Sequence, residues 1–306
     1  MNCAICTLFE GDYHLGLGAL ANSLYACGFR GTIYAGYRGT LPPWAKVARQ
    51  NNGFSDFNVA EGLGIRFMPV EAKVHLTNYK PDFMLQLWEK NCPDAESLFY
   101  FDPDIVVRFP WKFFEEWASD SVALCEDVNS PMPGNHPKRN AWRRLLITRG
   151  HKLENKTGVY VNGGFVALPK AHKEFLKLWL QIITQIGDAG VHLDALNTAE
   201  DYRFWNNDQD ALNIALMETN CPTSCAGKDG MGFIASNSFM LHAVGCDKPW
   251  KTRLFRQFLA GKSPMTVQRA YWENVASPIR VFPPAKITRM QMGMKLAAFG
   301  SRFYGS

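Results

Sequence analysis

Apolar runs of strand length recur along this chain, and segments with helical spacing lie between them. Residues 2–9 (NCAICTLF), 31–37 and 64–69 read as strands, and residues 97–107 (SLFYFDPDIVV) as a strand interrupted by two aspartates. Residues 15–27 and 170–186 carry helical apolar spacing. Residues 81–90 do too, with Phe83, Met84, Leu87 and Trp88 on one face. Residues 206–217 read as a helix opened by Asn207 or Asp208, and residues 159–168 (VYVNGGFVAL) as a strand with a polar break. Strands alternating with helices specify an α/β sandwich on a mostly parallel sheet. The chain is long enough at 306 residues for a large core, and its 47% hydrophobic and 20% charged content excludes disorder and coiled coil as the main theme.

Targeting and cysteine chemistry narrow the class further. No run reaches the roughly 20 apolar residues of a membrane span. The N-terminus has no basic segment followed by a long apolar run, so a cytoplasmic location is expected. Cys3 and Cys6 form a CxxC inside a strand rather than at a helix N-terminus, where a thiolate would be stabilised, and read as buried small side chains. Cys221, Cys225 and Cys246 lack the second tight pair of a zinc site. Charge is uneven. Residues 247–306 hold eleven Lys/Arg and two Asp/Glu, a net +9, whereas the first 246 residues sum to −4. A basic tail of this kind calls for an anionic partner. Residues 129–155, with three prolines, two glycines and many basic residues, read as a mobile excursion with one short helix at 139–147.

Asp102 and Asp104 carry the strongest chemical signal. Spaced i, i+2 at the end of a buried strand, they lie on one side and can share a divalent cation. Open α/β sheets place their ligands at such strand ends. Asp208-Gln209-Asp210 matches the same pattern but opens a helix, where Asp208 reads as an N-cap. In residues 241–250 (LHAVGCDKPW), His242, Gly245 and Lys248 share a loop stiffened by Pro249 and Trp250, suited to a metal-bound diphosphate.

Together these stretches resemble the retaining GT-A glycosyltransferases of family 8, the glycogenin and lipopolysaccharide-galactosyltransferase group. Residues 7–24 resemble the first strand and helix, FDPD at 101–104 the metal motif, and VNGG at 161–164 the strand facing the sugar. NNDQDALN at 206–213 resembles the helix start near the reacting carbon, and HAVGCDKPW at 242–250 the family's His-x-x-Gly-x-x-Lys-Pro-Trp loop. The resemblance implies a UDP-sugar donor, Mn²⁺ with Mg²⁺ as the alternative, and retention of anomeric configuration. It implies a metal held by Asp102, Asp104 and His242, and donor contacts from Thr7, Tyr13, Lys80, Asp102, Asn162, Gly163, Gly245 and Lys248. Asp208 and Gln209 become the candidates at the reacting carbon. The acceptor would be a glycan, glycolipid or protein; no nucleic-acid partner is expected. Two positions depart from the family: Lys80 stands where an Arg is usual, and Glu10 and Asp12 compete for the acidic place in the first nucleotide loop.

The expected organisation is a catalytic domain over residues 1–284, with 129–155 on its acceptor side, and a basic amphipathic segment over 285–306. Lys286, Arg289, Lys295 and Arg302 alternate there with Ile287, Met290, Met294, Leu296, Phe299 and Phe303. Such a mixture suits the inner face of an anionic membrane. The alternative is that its methionines pack on the catalytic domain. Two rival functions are a sugar-nucleotide-binding module without turnover and an oxidoreductase using Gly16-x-Gly18-x-x-Ala21. Those glycines fall well after the first strand, where small residues also let a helix pack closely.

Overall fold

A computed structural model describes residues 2–195, 203–245, 247–259 and 262–304, without the side chains of residues 255, 258, 259 and 300–304. In chain order the elements begin with β1 (Cys3–Glu10), α1 (His14–Ala26), β2 (Gly31–Arg38), β3 (Arg49–Asn51), β4 (Phe54–Ala60) and β5 (Leu63–Pro69). Then follow α2 (Lys80–Gln86), β6 (Ser97–Phe101), β7 (Ile105–Val107), α3 (Trp111–Trp117), β8 (Val122–Cys125), α4 (Pro137–Ile147) and β9 (Phe165–Pro169). Last come α5 (Glu174–Asp188), α6 (Asn207–Leu216), β10 (Thr223–Ala226), β11 (Met240–His242), α7 (Leu254–Leu259), α8 (Thr266–Glu273) and α9 (Pro284–Tyr304). Two compact units result. The first holds Met1–Leu8, Val70–Phe101 and Phe113–Gly230; the second holds Phe9–Pro69, Asp102–Lys112 and Met231–Ser306.

In the first unit the strand order is β10-β8-β9-β6-β1, and only β9 runs against the others. β6 is buried at every residue, as its unbroken apolar sequence requires. Its last side chain, Phe101, packs on Phe165 with ring centroids 5.0 Å apart. α5 buries Phe175, Leu176, Trp179, Ile182, Ile183 and Ile186, the i, i+4, i+7 stripe of a helix laid on a core. Each such side chain contributes about 1.5–3 kcal/mol over its exposed state.

In the second unit the order is β2-β5-β4-β3, with β4 reversed, and β7 pairs antiparallel with β11 in a separate ribbon. α1 is apolar almost all round and buries nine residues. Its small residues serve packing: a Cβ on Gly16 would collide with the Pro103 carbonyl and come 2.9 Å from the Trp250 ring, and one on Gly18 would strike Val281. The Gly-x-Gly run is thus spent on helix contacts, the packing reading of that motif.

The expected mostly parallel α/β sheet is present, as a mixed sheet with one reversed strand in each unit. Local boundaries differ in informative ways. Residues 97–107 are two strands, because Asp102-Pro103-Asp104 forms a turn closed by the Ile105 N–H on the Asp102 carbonyl at 3.1 Å. The strand expected over 159–168 starts only at Phe165; before it, Asn213 pins Val161 by both backbone groups at 2.8 Å. The N-cap of α6 is Asn206, not Asn207 or Asp208, since the Asp208 carboxylate is committed elsewhere. Residues 87–91 continue α2 as one π-helical turn. Burial pushes the Cys3 thiol up to about 12 and holds the Cys6 thiol well above its ordinary value, which disfavours the reactive thiolate at both.

Candidate active site

The second unit gathers the Asp-x-Asp turn and the His–Lys loop. In the β7–β11 ribbon His242 lies opposite Ile105, one residue from Asp104. His242 Nε2 stands 3.3 Å from Asp104 Oδ1 and 3.7 Å from Asp102 Oδ2. One ligand atom from each of Asp102, Asp104 and His242 falls within 4.8 Å of the others. Both distances are somewhat longer than the roughly 3 Å between neighbouring donors around a cation with bonds near 2.1 Å, so a modest inward turn of these side chains would bring them into coordination. Two carboxylates and an imidazole, at a turn packed on Gly16, fit a divalent cation.

Lys248 completes the cluster. Its ammonium donates to Asp104 Oδ2 at 2.6 Å and to the Ala243 carbonyl at 2.8 Å. Burial alone would raise the Asp104 carboxyl; His242 and Lys248 outweigh it and hold the group far below the usual carboxylate range. Burial works the other way on Lys248, and Asp104 overrides it, raising the ammonium. The loop is built for this reach. Gly245 adopts φ +69°, which costs a residue with a Cβ strain, and the Trp272 indole donates to the Pro249 carbonyl at 3.1 Å. Tyr13 is half-buried, edge-on to Trp250 at 5.4 Å, with Lys248 Nζ 5.6 Å from its ring centre. The competing acids of the first loop are both engaged: Glu10 with Arg38 at 3.2 Å, Asp12 with Lys251 at 2.8 Å.

The first unit holds the other candidates. Lys80, 2% exposed, donates to Asp208 Oδ2 at 2.9 Å and to the Gly163 carbonyl at 2.8 Å. A single ammonium thus bridges the two motifs at the place of the expected Arg. The Gly163 N–H donates to Gln209 Oε1 at 3.0 Å, while Gln209 Nε2 is buried and meets no partner in hydrogen-bonding geometry among the described residues. Asn162 donates to Asp127 Oδ2 at 2.7 Å and accepts from the Gly164 N–H at 2.8 Å. Thr7 is fully buried in β1 and its hydroxyl has no partner among the described residues.

Several residues here escape sequence reasoning. Asp127, 2% exposed, orients Asn162 and accepts from both nitrogens of Asn129 at 2.9 and 2.7 Å. Asp210 is fully buried, accepts two bonds from Lys138 at 2.7 and 2.9 Å, and takes the Tyr160 hydroxyl at 2.6 Å. Burial drives the Asp210 carboxyl upward against the pull of Lys138 and Tyr160. The only available signal was the second Asp-x-Asp run; nothing in the spacing of Lys138 marks it. Residues 129–155 carry α4 and are fastened inward. Arg139, pulled down to about 10 by burial, donates to the Met132 and Val159 carbonyls, and the Trp142 indole donates to the Arg203 carbonyl at 2.7 Å.

No protein-family model matches the sequence, and no curated protein matches it in sequence. The likeness is in three dimensions. The apo structure of WbbM, a bifunctional glycosyltransferase, superposes with a TM-score of 0.55 at 15% identity, over 95% of this chain and 52% of that one. The chain therefore spans about half the length of WbbM. An active-site mutant of LgtC superposes with a TM-score of 0.52 at 15% identity, over 92% of this chain and 98% of that one. The galactosyltransferase LgtC, in complex with donor and acceptor sugar analogues, gives 0.50 at 15% identity, over 94% and 95%. The chain has the α/β fold of these GT-A glycosyltransferases.

Proposed function

We propose that this chain is a metal-dependent, retaining glycosyltransferase that moves a hexose from a UDP-sugar to a glycan, glycolipid or protein acceptor. The observation that carries this reading is the Asp102–Asp104–His242 cluster with Lys248 bonded into it, in a chain with a glycosyltransferase fold. Breaking a glycosyl–phosphate bond leaves a diphosphate with growing negative charge. A Mn²⁺ or Mg²⁺ ion held by Asp102, Asp104 and His242 would supply Lewis-acid stabilisation of that leaving group. Lys248 takes the β-phosphate, Gly245 lets the backbone approach it, and Tyr13 stacks on uracil. Thr7, Lys80, Asn162 and Gly163 make the remaining donor contacts. Of the two groups proposed at the reacting carbon, Asp208 already neutralises Lys80, whereas Gln209 keeps an open buried amide nitrogen. Gln209 is therefore the group assigned to the reacting carbon, its open amide N–H donating to an oxygen of the sugar and the second lone pair of its Oε1 facing the developing positive charge.

Residues 1–284 act as the catalytic domain and residues 129–155 as its acceptor side. Among the described residues no helix is long and apolar enough to cross a membrane. The reading places the protein in the cytoplasm, with residues 285–304 touching the inner face of an anionic membrane.

Donor hydrolysis and transfer are measured with UDP-sugars, with and without Mn²⁺, and early product is read by NMR. Metal-dependent transfer with the anomer retained is expected. Full activity in excess chelator, or an inverted anomer, overturns the metal and mechanistic parts respectively. Donor binding with no turnover returns the chain to a binding module.

A further inference from the structure

Helices α7 and α9 enclose a groove of about 620 Å³ in the second unit. Its floor is apolar, formed by Leu254, Met290, Leu296 and Ala297. Gly293 sets the depth: a Cβ there would stand 2.9 Å from Leu254 Cδ1. The rim is different. Arg253, Arg256 and Arg289 line it and are exposed. Their guanidinium groups have no ion-pair or hydrogen-bond partner among the described residues. Leu296 is 66% exposed, and Met292, one helical turn before it, is 59% exposed. The opposite face of α9 is packed, with Ile287 and Met294 buried. Packing and exposure thus coexist on one helix, and Arg302 and Phe303 lie outside the described side chains.

An apolar stripe in water and three uncompensated cations beside it are both unfavourable when bare. A free anion would answer the arginines and leave the floor wet. A neutral lipid would do the reverse. An extended peptide brings backbone donors and acceptors that these walls do not meet. One chemistry answers both features: a hydrocarbon chain carrying an anionic head. We infer that the α7–α9 groove seats a single anionic phospholipid of a membrane surface, its acyl chain on the Leu254–Leu296 floor and its phosphate among Arg253, Arg256 and Arg289. This deepens the proposed membrane contact of residues 285–304 and rests on it, while remaining independent of the transferase reading.

The test is co-sedimentation of the full chain with vesicles of phosphatidylcholine alone, or with about one third phosphatidylglycerol. Binding is expected only with the acidic lipid. The triple variant Arg253→Gln/Arg256→Gln/Arg289→Gln should bind at least about tenfold more weakly, since each base near anionic lipid contributes appreciably. Leu296→Ser should weaken binding several-fold, and hydrogen exchange over residues 289–297 should slow on vesicles. Lys46→Gln/Lys73→Gln/Lys156→Gln removes the same charge elsewhere and should bind like the parent. All variants change exposed residues, and matching thermal melts exclude misfolding as the cause. If both triple variants lose binding equally, attraction is diffuse and the groove is overturned while membrane contact stands. If no vesicle binds, groove and membrane contact both fall. Donor hydrolysis in buffer reports separately on the transferase reading.

Discussion

A carboxylate at 5% exposure, as Asp104 is, stays ionised only where cations outweigh its lost hydration. Here His242 and Lys248 supply that weight from a loop far along the chain. Gln209 stands in a different situation: one amide end is bonded, and the other, near the Tyr160 hydroxyl, makes no hydrogen bond in good geometry. An interaction made mainly in the transition state lowers kcat more than donor affinity when removed. Gln209→Ala is therefore expected to cut kcat about 10²–10³-fold, comparable to losing one oriented transition-state dipole, with UDP affinity by calorimetry nearly unchanged. Asp102, Asp104, His242 and Lys248 were legible as a cluster because their residue types are costly to bury without partners. Asp127 and Tyr160 were not, since an acid after a strand and a tyrosine inside one are ordinary until their neighbours are known.

At the scale of elements, α6 is held at its first turn by two lysines from different places, Lys80 of α2 and Lys138 of α4. Removing one partner of a buried pair leaves an uncompensated charge, a loss of about 3–5 kcal/mol. Lys138→Met should destabilise the protein by that order in urea unfolding, and a smaller effect would mean that water reaches Asp210. On the second unit's sheet, Asp56 of β4 takes two bonds from Arg66 of β5 at 2.7 and 3.0 Å. Those bonds, ahead of burial, hold its carboxyl below the usual value near 4. A depressed carboxylate stabilises the fold above that value and loses the contribution as pH falls through its own lower one. The pair is about one-third exposed, at 29% and 35%, so about 1 kcal/mol or less is at stake. Denaturant unfolding at pH 6 and pH 3 should show a shallower acid loss in Asp56→Asn by that amount. Helices with strong apolar periodicity, such as α5, were readable from the pattern alone. The β3–β4 hairpin and the split of residues 97–107 into two strands were not, because short strands and a Pro-closed turn leave little periodic trace.

Across the whole molecule, the excursion over residues 129–155 is proposed to flank the acceptor, so its exchange behaviour tests the organisation directly. Amides there are expected to exchange faster than those of α5 without ligand and to slow when UDP and Mn²⁺ are added. Exchange as slow as α5 in the free protein would rule out a mobile segment on the acceptor side. Fold class was legible because alternation of strand and helix is a global property. The division into two units was not, since each unit draws its residues from three separate stretches. That interleaving has a consequence for synthesis. Asp104 meets Lys248 across 144 positions of chain. At about 5–20 residues per second, the aspartates are synthesised roughly 7–30 s before that lysine exists. Until then Asp104 must stay hydrated or protonated, so the turn cannot settle into its final seat. A ribosome stalled before residue 248 would release a chain with a strand end that repels its own interior, and full burial of Asp104 becomes the molecule's proof that translation ran past the loop.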